Sequence, residues 1–458
     1  MAEATGIGVD ELGLLTDLYQ LTMAQSYFHH RHNGTATFSL FIRSYPPDFT
    51  YFVAAGLATV LEYLEAVHFP PSALAYLRQT GRFTEDFLAY LANWRFRGDV
   101  VAMPEGTVFF VNEPILEVTA PIIDAQLVES FVINAVHLQT LVATKAARCV
   151  QAARGRALID FALRRTHGTD AAMKVARASY LAGFEGTSNV LAGRYYGIPI
   201  SGTMAHSYIM SFADELEAFR AFAATYPDQT VLLIDTYDTL VGARHAVQVG
   251  QELARAGHKL RGVRLDSGDI AALSKQVRAM LDAAGLNEVR IVASGGLDEY
   301  AIDAILRAGG CVDVFGVGTR MGVSAGAPYY DIAYKLVKYD GRPVAKLSAD
   351  KATLPEDKQV WRCTRDGHYV EDILTLRDEA PPAPAAEPLL QEVMRDGRRL
   401  GTLPSLHEAR DRHLEAMRRL PEPYRRLSGG ATYPVRLSAE LRAVQQEVES
   451  ELLQHYTG

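Results

Sequence analysis

The sequence predicts an α/β protein: a closed or nearly closed parallel β/α barrel flanked by a second α/β domain. Three observations carry this. The middle of the chain alternates short β-branched runs with amphipathic helical stretches. Both ends carry alternating runs split by Pro and Gly. The length, 458 residues, suffices for two or three domains and a large core.

Near the N-terminus, "GTATFSLFIRSYP" and "GDVVAMPEGTVFFVNEPILEVTAP" predict antiparallel strands. Buried parallel strands follow at 157–162, 198–201, 230–235, 260–266, 289–294 and 312–318, where short apolar runs such as "TVLLID" and "VRIVAS" occur. Helical stretches such as "GDIAALSKQVRAMLDAAG" separate them and end near glycines, as helix C-termini often do. Five crossovers of that kind imply βαβ units. "YYDIAYKLV" is a candidate for a further barrel strand, and a doubly wound open sheet is the alternative architecture. Later, "VKYDGRPVAKLS" and "WRCTRDGHYVEDILTL" each hold an Asp-Gly turn between strand-like runs. "DEAPPAPAAEP" (378–388) reads as a linker, and "SLHEARDRHLEAMRRL" and "SAELRAVQQEVESELL" as surface helices. The expected division is 1–125 and 338–458 for the flanking domain and terminal helices, with 126–337 forming the barrel.

The formal net charge of −8, with 48% hydrophobic and 22% charged residues, offers nothing to nucleic acid or a membrane surface. No apolar run has the length of a membrane span, and the first residues read as no signal peptide. Three dispersed cysteines, Cys149, Cys311 and Cys363, form no metal or disulfide pattern and fit a reducing cytoplasm.

In a β/α barrel, reactive groups sit where strands end and βα loops begin. Those positions hold Arg164 and Arg165 in "LRRTHG", Thr203 and His206 in "GTMAHS", and Asp235 and Asp238 in "DTYDT". They also hold Arg264, Asp266, Ser267 and Asp269 in "RLDSGD", Ser294, Gly295 and Gly296 in "SGGLDE", and Gly316, Gly318 and Thr319 in "GVGTRMG". Gly-rich turns expose backbone N–H groups to phosphate, and arginines fork onto anionic oxygens. The aspartates suit Mg2+ or ribose hydroxyls. A phosphorylated, anionic substrate is the common denominator. "GVSAG" (322–326) matches an esterase elbow, but Pro328 follows where a helix is required.

These motifs, with "LLTDLYQLTMAQSYF" and "GFEGTSNVLAGRYYGIPISGTMAHSYIMSF", resemble the nicotinate phosphoribosyltransferase family over about residues 10 to 375. The resemblance implies a seven-stranded, irregular type II phosphoribosyltransferase barrel, an α/β sandwich domain and a homodimer with shared active sites. It implies that nicotinate and 5-phosphoribosyl 1-pyrophosphate yield nicotinate mononucleotide and pyrophosphate in NAD salvage. ATP is the implied co-substrate and Mg2+ the implied cofactor, with Asp266 and Asp269 as candidate ligands. By the same resemblance His206 is the phosphorylated histidine, Thr203 borders the nicotinate pocket, and Tyr19 stacks on the pyridine from the neighbouring subunit. Arg164 or Arg165 meets substrate anions, Arg264 contacts substrate, and Asp266 meets the ribose or its metal. Gly295, Gly296, Gly316, Gly318 and Thr319 hold the 5-phosphate.

Ser188 in "EGTSN" stands where nicotinamide-using relatives carry an aspartate, and it would not repel a carboxylate. That favours nicotinate over nicotinamide. Other classes compete less well. A Schiff-base aldolase would want a strand-end lysine, and a catalytically dead barrel would be expected to have lost some of His206, Arg264 and Asp266.

Overall fold

A computed structural model describes residues 7–348 and 353–457 and divides the chain into two compact units. Residues 1–6, where the reading of the leader begins, lie outside the described residues. One unit runs from Lys145 to Pro328; the other combines the two ends of the chain. The division falls within the helix Glu129–Ala153 and just before the strand Ile332–Tyr339, whereas the sequence reading put it at 125/126 and 337/338.

In the unit 145–328, six strands form one parallel sheet: β1 (Ala157–Asp160), β2 (Gly186–Thr187), β3 (Val231–Leu233), β4 (Gly262–Leu265), β5 (Arg290–Ala293) and β6 (Val314–Val317). Their order is β2-β1-β6-β5-β4-β3. The first strand therefore pairs with the last, which is the cyclic order a barrel requires. A doubly wound sheet would instead reverse direction at an interior switch point. The architecture is an irregular parallel β/α barrel.

A seventh strand position is vestigial. The expected strand at 198–201 is reduced to one parallel bridge, Thr187 to Ile200. Pro199 lacks an N–H to donate and Gly197 turns the chain at φ 70°, so no ladder can extend there. Among the described residues no ladder joins Ile200 to β3, and the wall is interrupted at that point.

Helices follow the strands with side-chain caps that the sequence encodes locally. Asp238 accepts from the N–H groups of Leu240 and Val241 ahead of Thr239–Arg255. Asp269 caps Ile270–Ala283, and Asp298 caps Glu299–Arg307. The loops after β3, β4 and β5 therefore each have an exit pinned by an aspartate.

The other unit is built on a seven-stranded sheet in which every pair is antiparallel. Thr35–Ile42 lies between Ile332–Tyr339 and Leu116–Pro121, so both ends of the chain meet in one sheet. "YYDIAYKLV" thus supplies no barrel strand: Ile332–Tyr339 joins this sheet, because its partner Thr35–Ile42 lies some three hundred residues earlier. Both expected Asp-Gly hairpins form, with positive φ at Asp340 and Gly341 and at Asp366 and Gly367. The linker 378–388 ends in an edge strand, Glu387–Pro388, against Arg362 and Trp361. The helix Leu406–Arg419 is a surface helix on one face only, since Ala409, His413 and Ala416 are buried.

Candidate active site

The residues that end β4, β5 and the Thr203 segment meet around one guanidinium. Arg264, on β4, donates from Nε to Ser294 Oγ at 3.0 Å and from Nη1 to Thr203 Oγ1 at 2.7 Å. Nη1 also reaches the Met204 carbonyl at 3.1 Å, and Nη2 reaches Asp266 Oδ1 at 3.2 Å. Ser294 relays the network by donating its hydroxyl to Asp266 Oδ1. The Arg264 fork is thereby held in one orientation by groups from three loops. Burial pushes the Asp266 carboxyl up, but the Ser294 hydrogen bond and the charge and hydrogen bond of Arg264 outweigh it. The carboxyl sits below its usual range and is ionised.

His206 opens the short helix His206–Met210, with Nε2 at 3.8 Å from Asp266 Oδ2 and Nδ1 at 3.2 Å from Thr236 Oγ1. Its side chain is 40% exposed, so the ring is anchored at one nitrogen yet open to a ligand. Asp235 accepts from the Asp266 N–H at 2.9 Å and from the Ser267 hydroxyl at 2.6 Å. Its other oxygen, Oδ1, is buried with no hydrogen-bond partner. An orphaned carboxylate oxygen is costly and marks a place for a cation or donor from outside the chain.

The ends of β1 and β2 form a second group. Asp160 is 1% exposed, and its carboxylate accepts from the Ala162 N–H at 2.8 Å and the Thr187 hydroxyl at 2.7 Å. Burial pushes its carboxyl up to about 6 against those two hydrogen bonds. Ser188 donates its N–H to the Asp160 carbonyl at 2.8 Å, and its hydroxyl bonds nothing among the described residues. Phe161 lies with its ring 5.8 Å from the Arg264 guanidinium carbon. A Cβ at Gly316 would come within 2.4 Å of that ring, which explains why a glycine stands there. Arg164 and Arg165 form an exposed 3-10 turn, Leu163–Arg165, without a partner among the described residues. Both remain available to an anion.

The two Gly-rich turns are tied together. Arg320 donates to Asp298 at 2.7 Å, linking the loop after β6 to the loop after β5. Gly295 needs its φ of 90°, and a Cβ there would strike the Asp266 carbonyl at 2.0 Å. The N–H groups of Gly295 and Gly296 donate to no protein acceptor among the described residues, which suits a phosphate cradle. Gly318 and Thr319 open the one-turn helix Thr319–Gly322. Ser324 of "GVSAG" is fully buried and donates to the Ala327 carbonyl at 2.7 Å, so it is structural.

Thus His206, Arg264, Asp266, Thr203, Asp235, Ser267 and Ser294 converge through direct contacts. Asp269 does something else: its Oδ1 accepts the Ala272 N–H at 3.0 Å as a helix cap. Tyr19 belongs to the other unit, on the helix Leu18–His29. It is half exposed beside a cavity of about 340 Å³ lined also by Tyr27, Gln126, Glu129 and Lys335. Sequence reasoning passed over Asp160, Phe161, Thr236 and the Arg320–Asp298 pair. Asp160 and Phe161 were legible as a strand-end acid and its neighbour, one step before the arginines that drew notice.

Comparison with known proteins identifies the family. Residues 14–137 match the nicotinate phosphoribosyltransferase (NAPRTase) N-terminal domain, residues 156–367 the nicotinate phosphoribosyltransferase (NAPRTase) family, and residues 384–445 the nicotinate phosphoribosyltransferase C-terminal domain. A nicotinate phosphoribosyltransferase of Mycobacterium tuberculosis is 52% identical over 427 residues, covering 93% of this chain and 91% of the relative. One from Bacillus subtilis is 42% identical over 386 residues, covering 82% and 78%. The crystal structure of human nicotinic acid phosphoribosyltransferase is similar with a TM-score of 0.85 at 30% identity, covering 94% of this chain and 99% of that one. A nicotinate-nucleotide pyrophosphorylase structure from Pyrococcus furiosus gives 0.74 at 27% identity, covering 90% and 96%. Matched along nearly its whole length, the chain belongs to the nicotinate phosphoribosyltransferase family.

Proposed function

We infer that the protein transfers the 5-phosphoribosyl group from 5-phosphoribosyl 1-pyrophosphate to the ring nitrogen of nicotinate, forming nicotinate mononucleotide and pyrophosphate in NAD salvage. The observation that carries this is the Arg264–Ser294–Asp266 network, with His206 beside it at the strand ends of a family-matched barrel. In the reaction the pyridine nitrogen forms a bond to C1 of the ribosyl group as the C1–oxygen bond to pyrophosphate breaks. The transition state is oxocarbenium-like, so the chain's task is positioning and charge stabilisation. Asp266, ionised and preoriented, suits the ribose hydroxyls or developing positive charge, while Arg264 suits the departing anion. The free N–H groups of Gly295 and Gly296, with Gly316, Gly318 and Thr319, suit the 5-phosphate. Arg164 or Arg165 and the unpaired Ser188 hydroxyl suit the nicotinate carboxylate, with Thr203 at the pocket edge.

Mg2+ belongs to this reading. Among the described residues no three His, Cys, Asp or Glu side chains form a ready-made cage. The orphaned Oδ1 of Asp235 and the carboxylate of Asp266 nevertheless fit an ion that keeps most of its ligands from water and phosphate. Asp269, engaged as a cap by one oxygen, is a weaker candidate than Asp266. Mg2+ bound there would neutralise the leaving pyrophosphate.

His206 is the proposed site of phosphorylation by ATP. Its imidazole nitrogen forms a bond to the γ-phosphorus as the bond to ADP breaks, and water later releases phosphate. The exposure of the ring and its anchoring by Thr236 support this role. A homodimer with shared sites, in which Tyr19 of one copy stacks on the pyridine bound by the other, and a cytoplasmic location complete the proposal. The half-exposed Tyr19 supports the former. The three free cysteines support the latter, and no described helix is long and apolar enough to cross a membrane.

The test offers nicotinate, nicotinamide and quinolinate separately with the phosphoribosyl donor and Mg2+, with and without ATP. Nicotinate is expected to yield its mononucleotide, faster with ATP. If no pyridine is converted the reading fails, and a preference for nicotinamide would overturn the inference from Ser188.

A further inference from the structure

The turn that carries Ser188 is short and is tied down from both sides. Strand β2 is two residues long, and its outer neighbour is the single bridge at Ile200. Besides the main-chain bonds of that bridge and the Asn189 cap on the Ala192 N–H, Asp160, the last residue of β1, ties the turn down. The Asp160 main-chain carbonyl accepts the Ser188 N–H at 2.8 Å, and one carboxylate oxygen accepts the Thr187 hydroxyl at 2.7 Å. Because Thr187 spends its proton there, its oxygen is free to accept the Asn189 N–H at 3.0 Å. Three consecutive residues are thus fixed by one acid. The other carboxylate oxygen accepts the Ala162 N–H at 2.8 Å, at the start of the turn that leads into Arg164 and Arg165.

Asp160 has no cation partner in any of these contacts, although it is 1% exposed. An unpaired buried carboxylate is expensive, and a well-packed apolar residue would cost the fold less. What only the carboxylate offers is two acceptors at once, with no donor to repel either the amide or the hydroxyl. The two elements joined by those acceptors are the ones read above as holding the nicotinate carboxylate.

We propose that Asp160 is a positioning residue for pyridine recognition: it locks the Ser188 turn to the Arg164–Arg165 turn and so sets the enzyme's preference for a pyridine carboxylate over a carboxamide. This rests on the reading of the chain as a nicotinate phosphoribosyltransferase. Asp160 itself touches no reacting atom. Its influence passes through Thr187 and the two turns, and it is therefore expected in KM for the pyridine rather than in the chemical step.

The experiment measures kcat and KM for nicotinate, nicotinamide and the phosphoribosyl donor in the wild type, Asp160→Asn, Thr187→Val and Thr187→Ser. Asparagine keeps the volume but must set an NH2 against one of the two donors. Valine removes the hydroxyl, and serine restores it. Asp160→Asn and Thr187→Val should each raise KM for nicotinate about tenfold and lower the nicotinate-to-nicotinamide ratio of kcat/KM by about as much, the size expected when one fixed polar contact is misplaced. KM for the phosphoribosyl donor should stay within about twofold, and Thr187→Ser should return the nicotinate KM to within about twofold of wild type. If Asp160→Asn proves too unstable to assay, the Thr187 pair decides alone. An unchanged nicotinate KM, or an equal loss for both substrates, overturns the proposal. A wild type that converts no nicotinate instead overturns the functional reading on which it rests, and the proposal falls with it.

Discussion

Two arginine–aspartate pairs in this molecule use the same side chains for opposite ends. In the barrel unit, Arg264 and Asp266 share a network with Ser294, Thr203 and His206, and the Asp266 side chain remains 32% exposed. In the flanking unit, Arg362 grips Asp372 by two bonds of 3.0 and 2.5 Å, and Tyr433 donates to the same aspartate at 3.2 Å. That second pair is sealed: both side chains are at most 2% exposed, with the guanidinium over the rings of Tyr369 at 4.6 Å and Phe110 at 5.5 Å. A second acid, Glu113, is buried beside it. Burial first, and then the charge of Asp372, push its carboxyl well above the usual range. The difference lies in what is left unspent. The sealed pair satisfies itself within the protein, whereas the open pair leaves charge and hydrogen-bonding capacity facing solvent, where a substrate can take it.

The comparison would break most visibly at the open pair. Arg264→Ala should lower kcat/KM by about a thousandfold while leaving the melting temperature nearly unchanged, because a partly solvated network loses function before stability. A large drop in melting temperature would put Arg264 in the same class as Arg362. The converse change, Arg362→Ala, strands Asp372 in the interior and should cost about 3–5 kcal/mol of stability. Urea unfolding measures it, and turnover per folded molecule should stay close to wild type. His206→Ala should abolish an ATP-dependent gain of about tenfold and spare ATP-independent turnover. Full ATP stimulation in that variant would end the phosphohistidine proposal.

Two smaller effects sharpen the contrast. The pH dependences contributed by Asp266 and by Glu113 should have opposite sign. Asp266, with its carboxyl depressed in the fold, contributes stability above the ordinary carboxylate pKa that is lost as pH falls through the depressed value. Glu113, with its carboxyl raised, contributes stability at acid pH that is lost as pH rises through the raised value. Unfolding midpoints across a pH series should therefore steepen on the acid side because of Asp266, and flatten on the rising side in Glu113→Gln. Last, Arg320→Ala breaks a pair whose arginine is 53% exposed, and it should cost under about 1 kcal/mol by the same unfolding assay.

Much of the site was legible because its signals are local. A β-branched run followed by Gly-Gly or Asp-Ser-Gly marks a strand end and its turn whatever the rest of the chain does, and that was enough for Arg264, Asp266, Ser294 and the glycines. Asp269 follows the same logic yet is a helix cap, which residue type alone does not separate from a ligand. Asp160 was missed for the complementary reason. An acid at the end of a strand is unremarkable until its partners, Thr187 and Ala162, are known.

The sequence by itself determined the alternation of strand and helix, the Asp-Gly hairpins and the set of reactive residues at strand ends, because periodicity and turn chemistry act over a few residues. Only the tertiary structure decided which of them meet. Arg264 finds Ser294 thirty positions later and Thr203 sixty-one positions earlier. The strand Ile332–Tyr339 leaves the barrel for a partner near the N-terminus. The seventh barrel strand shrinks to one bridge at Ile200. Partner choice of this kind depends on which faces pack and which polar groups they leave unsatisfied, and no local pattern encodes it.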